Sequence, residues 1–452
     1  MPMLTPSMIR LVRTCCLLLL IRTPLCHSAI TSSQTFLNLF DGEVVSATLL
    51  DDATQTLYVT SVPTGFPKTF FSLFKISSTG NRDYKVIIPF RDGRQTMDPT
   101  YLALHDSGNT LVLLANGGFS DPNINGGSDC TVYFIDASTG SITGDHVTLA
   151  GPEFVDSNGY TNTLLIADKA ITSTADANKI FVMAGSLMDI SSAAYGYSIF
   201  KIDVPSRSID WTNHHLPSGS DGATPSDMLE VNASYLLVAG FLGLFRYDLS
   251  TGTRTDVLAN TRINNLLHIA ASNLVLAGAA GTDSSTALDA TTLATQWTTP
   301  NGRGIVYHMP GPDANTVWFT RNLIPEDSEN WDFEVGVIGL SDGRPLWSQS
   351  YDGGSGLFDV VVGFHSSLGT TAYVGASGRQ ATDMCLSNLF GLLPRALIGD
   401  AQVLTVDHSS QSINADQQVV DTSIGAPRVF RSSDILGWMI SFDGSAIRYE
   451  YS

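Results

Sequence analysis

Val132 to Gly140 reads VYFIDASTG, and Leu244 to Gly252 reads LFRYDLSTG. Each is a short apolar strand ending in Asp, then a tight turn closing on Thr-Gly, then another strand. The unit returns with changes at Leu73 to Gly80 (LFKISSTG), Ile199 to Trp211 (IFKIDVPSRSIDW), Thr286 to Trp297 (TALDATTLATQW) and Val335 to Trp347 (VGVIGLSDGRPLW). Apolar residues at a period of two make a strand, and an Asp side chain holds the turn by bonding the backbone ahead of it. Self-similarity at about 50 residues means stacked supersecondary units, and β-rich units of that size are propeller blades.

Outward from these turns, each unit reads as four strands with Gly, Asp or Asn at the connections. The inner strands are expected to begin near Val44, Pro99, Thr163, Met228, Leu266, Ile305, Val360 and Val429. Second strands follow as Leu57 to Thr60, Leu111 to Ala115, Ile180 to Ala184, Leu236 to Gly240, Leu274 to Gly278, Val317 to Thr320, Tyr373 to Ala376 and Gly437 to Ser441. The expectation is an all-β, eight-bladed propeller, with seven blades as the alternative. The last unit has only three strands, and Thr35 to Phe40 (TFLNLF) is expected to supply its fourth. An N-terminal strand there closes the ring without leaving a bare sheet edge.

No linker or low-complexity stretch interrupts the 452 residues, so residues 29–452 read as one propeller domain. Residues 1–28 read as a secretory signal: Arg10 and Arg13 precede the apolar run Cys15 to Ile21, and Cys26 and Ser28 are the small residues before a cleavage site. That run is too short to span a bilayer. Formal net charge is −19 and falls further once the signal's three Arg are removed, which disfavours nucleic acid and anionic membranes as partners. Cations, neutral carbohydrate, a small molecule or an extracellular protein are the partners left.

Cys130 and Cys385 remain after the signal, and in an oxidising compartment they pair only if the fold brings them together. Asn232-Ala-Ser234 is the one glycosylation sequon and falls at an expected turn, which makes Asn232 the candidate acceptor.

These repeats resemble those of the quinoprotein-like β-propeller family, named for pyrroloquinoline quinone. That repeat carries an Asp, Thr-Gly at the third and fourth positions after it, and Trp at the eighth. Asp136 with Thr139-Gly140 and Asp248 with Thr251-Gly252 match the first part; Asp203 with Trp211 and Asp289 with Trp297 match the ends; Gly339, Asp342-Gly343 and Trp347 give a variant. The resemblance implies a propeller in which the Trp docks between blades. It also implies, as the alternative function, a quinone- and calcium-dependent oxidoreductase acting on an alcohol or sugar. The adjacent-cysteine ring of some such enzymes has no counterpart outside the signal, so no cofactor residues carry over.

The connections Ser61 to Thr69, Asn116 to Thr131, Gly185 to Tyr197, Arg321 to Glu334 and Ala376 to Asp400 are long, and in a propeller they share one face. At the starts of the inner strands on that face, Glu43, Asp98, Asn162, Asp227, Asn264, Arg303, Asp359 and Arg428 are expected to ring the channel mouth. The acids and amides suit a cation or sugar hydroxyls, and the two Arg suit a carboxylate. A second candidate is a calcium loop formed by Asp121, Asn123, Asn125 and Asp129, although Val132 stands where an EF-hand needs Glu. No G-x-S-x-G, H-E-x-x-H, phosphate loop or C-x-x-C occurs. His105, His268, His308 and His365 fall near the ends of inner strands at different offsets and read as structural, and His214-His215 reads as solvated. The leading expectation is a secreted propeller that binds a ligand or partner on its loop-rich face without catalysis. A glycan hydrolase or lyase using Asp98 and Asp227 ranks behind the oxidoreductase.

Overall fold

The Asp turns that define the repeat are built as their residue types require. Asp136 Oδ1 accepts from the backbone N–H groups of Ser138 (3.0 Å) and Thr139 (2.8 Å) and from both hydroxyls. Asp248 does the same with Ser250 and Thr251. Donation from the Ser138 hydroxyl, above all, holds the Asp136 carboxyl down at a pKa of about 2.

The computed structural model of the protein describes residues 30–36, 39–64, 69–91, 96–105, 108–121, 124–155, 161–162, 165–189, 194–215, 225–281, 283–300, 304–323, 332–351, 360–367, 370–378, 400–419, 427–432, 436–441 and 446–451. The expected signal at 1–28, Cys385, Asn123, Arg303 and Asp359 lie outside them. All-antiparallel sheets of four strands dominate, and Ala270–Ser272 forms a short 3-10 turn. The first sheet runs Val44–Asp51, Thr56–Val62, Phe70–Ile76, Arg82–Pro89, and the pattern repeats along the chain. The fifth and sixth sheets are joined where Ala280 pairs with Ile305 and Gly281 with Gly304. The first strand of each sheet lies beside the first strand of the next, and Pro427–Ser432 of the last sheet lies beside Val44–Asp51 of the first.

The last sheet is Pro427–Ser432, Leu436–Ser441, Ala446–Tyr451, with Ile30–Phe36 pairing antiparallel to Ala446–Tyr451. The pairing strand therefore comes earlier than the expected Thr35 to Phe40. Phe40 instead enters the core between the first and last sheets with Val45, Leu57, Phe74, Trp438 and Ile440. ITSSQTF carries too little apolar alternation to announce itself; its register comes from backbone pairing together with the Phe36 ring at its end.

Trp docking between sheets is as expected. Trp211 Nε1 donates to Leu249 O of the following sheet at 3.1 Å, Trp297 Nε1 to Leu340 O at 2.7 Å, and Trp347 Nε1 to His408 Nδ1 at 2.7 Å. Each Trp needs a flat seat. Gly252, at φ 68°, lies under Trp211, where an added Cβ would sit 2.7 Å from the ring. Gly343 seats Trp297 in the same way, and Gly80 seats Phe36 of the N-terminal strand. Gly252→Ala combines a left-handed backbone with an overpacked ring, so a loss of about 2–4 kcal/mol in urea unfolding is expected. A midpoint within error of wild type would show that Trp211 does not need that seat.

Val44 and Val360 start inner strands as expected, while four others begin two or three residues before their expected starts, at Thr96, Pro225, Ile263 and Pro427. The register skips one residue between Pro99 and Tyr101, Pro225 and Asp227, Ile263 and Asn265, and Pro427 and Val429. Each skip is a β-bulge, and a bulge reverses the alternation. Apolar period-two reading therefore picks up the strand only at or beyond the bulge, near Pro99, Met228, Leu266 and Val429.

Candidate functional site

Bulges near the starts of the inner strands also decide where the expected ring residues go. The inserted residues are Ser46, Thr100, Asp168, Ser226, Asn264, Val362 and Arg428; the inner strand Gly304–Pro310 pairs without one. Asn264 and Arg428 thus occupy equivalent positions. Glu43 lies three residues before its bulge, Asp98 two before and Asp227 one after, so these acids do not form a level ring. Asn162 belongs to a separate pairing of Thr161–Asn162 with Phe154–Val155.

Two of the three described carboxylates are taken up by the scaffold. Glu43 is buried and accepts from Ser61 Oγ (2.6 Å), Ser72 Oγ (3.1 Å) and Lys85 Nζ (2.7 Å). Asp227, also buried, pairs with Lys169 and accepts from the backbone N–H of Leu266 at 2.6 Å and of Met228 at 2.8 Å. Lys169, Asp227 and Asn265 each follow a bulge, and Asn265 Oδ1 accepts from His308 N at 2.9 Å in the next inner strand. The bulge turns the next side chain sideways, and these side chains stitch inner strands that share few backbone bonds. Asp98 alone of the three is exposed. A quinone with its calcium needs several converging free oxygens, and the described residues do not fit that group.

The expected calcium loop is instead a hairpin. Thr110–Asp121 and Ile124–Asp136 pair as far as Asp121 with Ile124. Asn125 and Asp129 stand four residues apart on one strand, which separates their Cα atoms by about 13 Å, and Asp129 is buried. Asn125 and Asp129 are therefore not brought together, and Asn123 lies outside the described residues. Among the described residues, no group of three or more His, Cys, Asp or Glu side chains is placed to hold a metal.

The strands flanking three other long connections also pair antiparallel up to their ends. Lys179–Asp189 pairs with Ala194–Asp203 out to Asp189 and Ala194; Thr316–Leu323 pairs with Asp332–Gly339 out to Leu323 and Asp332; Thr371–Gly378 pairs with Asp400–Asp407 out to Gly378 and Asp400. In the second sheet the outer strand Val147–Leu149 stops opposite Cys130 and the inner strand stops at Gly118, so Phe119–Asp121 and Ile124–Gly127 project as a two-stranded ribbon. By contrast, Tyr235–Gly240 and Gly243–Asp248 turn tightly at Phe241-Leu242. The face is thus uneven, with ribbons on some sheets and bare turns on others. On the inner strands Ile166 and Tyr307 are large exposed apolar groups.

Histidines sort by burial. His308 is buried and held neutral, its pKa pressed to about 4 by desolvation. His215 is not solvated as expected; its ring packs 4.9 Å from Tyr197 and 5.4 Å from Phe245, and burial followed by the Arg254 charge lowers it to about 4. Cys130 is a fully buried free thiol whose pKa burial pushes up, which makes it inert. Asn232 is exposed at a turn with Asn232 and Ala233 both left-handed (φ 49° and 52°), at the end opposite the ribbons.

No family model matches the chain, and no curated protein does. Solved structures do match in fold. Sqt1 of Chaetomium thermophilum bound to the N-terminus of ribosomal protein L10 superimposes with a TM-score of 0.57 at 11% identity, over 90% of this chain and 97% of that one. Saccharomyces cerevisiae Sqt1 gives 0.56 at 9%, over 92% and 98%. BamB of Moraxella catarrhalis gives 0.50 at 13%, over 93% and 99%. The protein is an all-β chain with the fold of a β-propeller of the PQQ-like and WD40-like kind. Among the described residues, no helix is long and apolar enough to cross a membrane.

Proposed function

We propose that this protein is a secreted, eight-bladed propeller, closed by Ile30–Phe36, that binds an extracellular protein through its ribbon-bearing face without catalysing a reaction. The projecting hairpins carry this reading, above all the ribbon at Phe119–Gly127. Ribbons on a rigid ring offer backbone edges and variable tips to a partner, whereas the buried Glu43 and Asp227 are spent on the scaffold. The strand pairing of Ile30–Phe36 and the inner-strand contact between the last and first sheets support the ring count. One propeller of this fold, Sqt1, has been seen bound to a protein segment.

The test compares the exported protein with a variant in which residues 118–127 are replaced by Asn-Gly, which suits a two-residue hairpin. Cross-linking capture from extracellular fluid, read by mass spectrometry, should give a partner with the wild type and lose it with the trimmed chain. The intact mass should also lack residues 1–28. Equal capture by both chains removes the ribbon from the interface. A stoichiometric mass gain with pyrroloquinoline quinone and calcium together would overturn the non-catalytic reading.

A further inference from the structure

At the end of the sheets opposite the ribbons, the second and third sheets part around a cavity of about 240 Å³. His105, Thr110, Phe134 and Thr143 line it from one sheet, and Asn178, Val204, Pro205 and Arg207 from the other. We propose that it is a binding site for a small organic carboxylate, held by Arg207 and His105 at its head and by the apolar wall at its tail.

His105 is 6% exposed, and among the described residues neither of its ring nitrogens has a hydrogen-bond partner. An imidazole carries two polar atoms in any protonation state, and leaving them buried and unmet forfeits their hydration with no hydrogen bond in return. Folding alone gives no return on that cost, whereas a bound acceptor does.

Arg207 is the second observation. It holds a left-handed φ of 53° at the turn position that is Gly140 or Gly252 in neighbouring units. A long side chain there is strained, and Gly would relieve it. Its guanidinium lies over Gly144, stacks 5.5 Å from the Phe134 ring, and makes one long bond, Nη2 to Thr143 Oγ1 at 3.5 Å. No ion pair to it occurs among the described residues. A stacked guanidinium with unspent donors beside an unmet imidazole recognises a carboxylate, while Phe134, Val204 and Pro205 suit an apolar tail.

The probe is benzoate, with acetate and inorganic phosphate as controls at matched ionic strength, measured by calorimetry on the full protein. Saturable benzoate binding tighter than acetate, weakened about tenfold or more in Arg207→Gly, is the expected result. Arg207→Gly restores the residue of the neighbouring turns and relieves the strain, so it should fold; its thermal midpoint without ligand checks this. His105→Phe should abolish binding while filling part of the cavity. Failure of benzoate to saturate at millimolar concentration, undiminished binding in Arg207→Gly, or phosphate binding in preference to benzoate each overturns the proposal.

Discussion

Removal of residues 30–41 is expected to leave a chain that does not fold on its own. The segment supplies the strand that pairs with Ala446–Tyr451 from Ile30 opposite Tyr451 to Phe36 opposite Ala446. Without it that strand becomes a bare edge, open to aggregation. Phe36 stacks 5.8 Å from Trp438 and seats on Gly80, and the fully buried Phe40 meets Phe74 edge-on at 5.4 Å. Burial of the Phe40 ring is worth about 1.5–3 kcal/mol, and the half-buried Phe36 adds a smaller share before the strand pairing is counted. A domain is stable by only about 5–15 kcal/mol, so the loss is comparable to the whole. Phe40→Ala, which keeps the strand, should fold but lose about 3–5 kcal/mol in urea titration. A truncated chain that elutes as a monomer and melts like the full one would show that the segment is an appendage.

The fold was readable because the Asp turns and the docking Trp are local and repeat. Asp248 with Thr251-Gly252 needs only its own residues to make the turn, and Trp211 needs only Gly252 of the following unit to find its seat. The ribbons were not readable. ANGGFSDPNINGGSDC, residues 115–130, is rich in Gly, Asn and Asp, which strands disfavour, and the register there comes from backbone pairing with the partner strand. The ring was misjudged for a related reason: a bulge leaves no mark in composition, so Asp98 and Asp227 looked equivalent although they lie on opposite sides of theirs. His105 was read as structural, but its two unmet nitrogens belong to the space between two sheets, which no single repeat encodes.

Asp227→Ala should be among the most damaging single substitutions in the protein, and Asp98→Ala among the mildest, although the sequence offered both as catalytic carboxylates. Loss of the Asp227 side chain leaves the Leu266 N–H without its acceptor and the Lys169 ammonium without its counter-charge, and Asn265 loses a neighbour in the chain of side chains that leads to His308. Lys169 is 36% exposed and its ammonium regains water, so the cost is that of the two buried backbone donors left unmet, Leu266 and Met228 N–H, about 1–3 kcal/mol each. Asp227→Asn retains one acceptor oxygen but presents an amide to groups that donate, so a smaller loss of about 1–3 kcal/mol is expected. Asp98 is exposed, and its removal should stay within about 0.5 kcal/mol. Urea unfolding of the three variants measures the order directly. If Asp227→Ala unfolds with Asp98→Ala and the wild type, the carboxylate is not holding the inner strands together, and it returns to the channel mouth as a group free to meet a ligand.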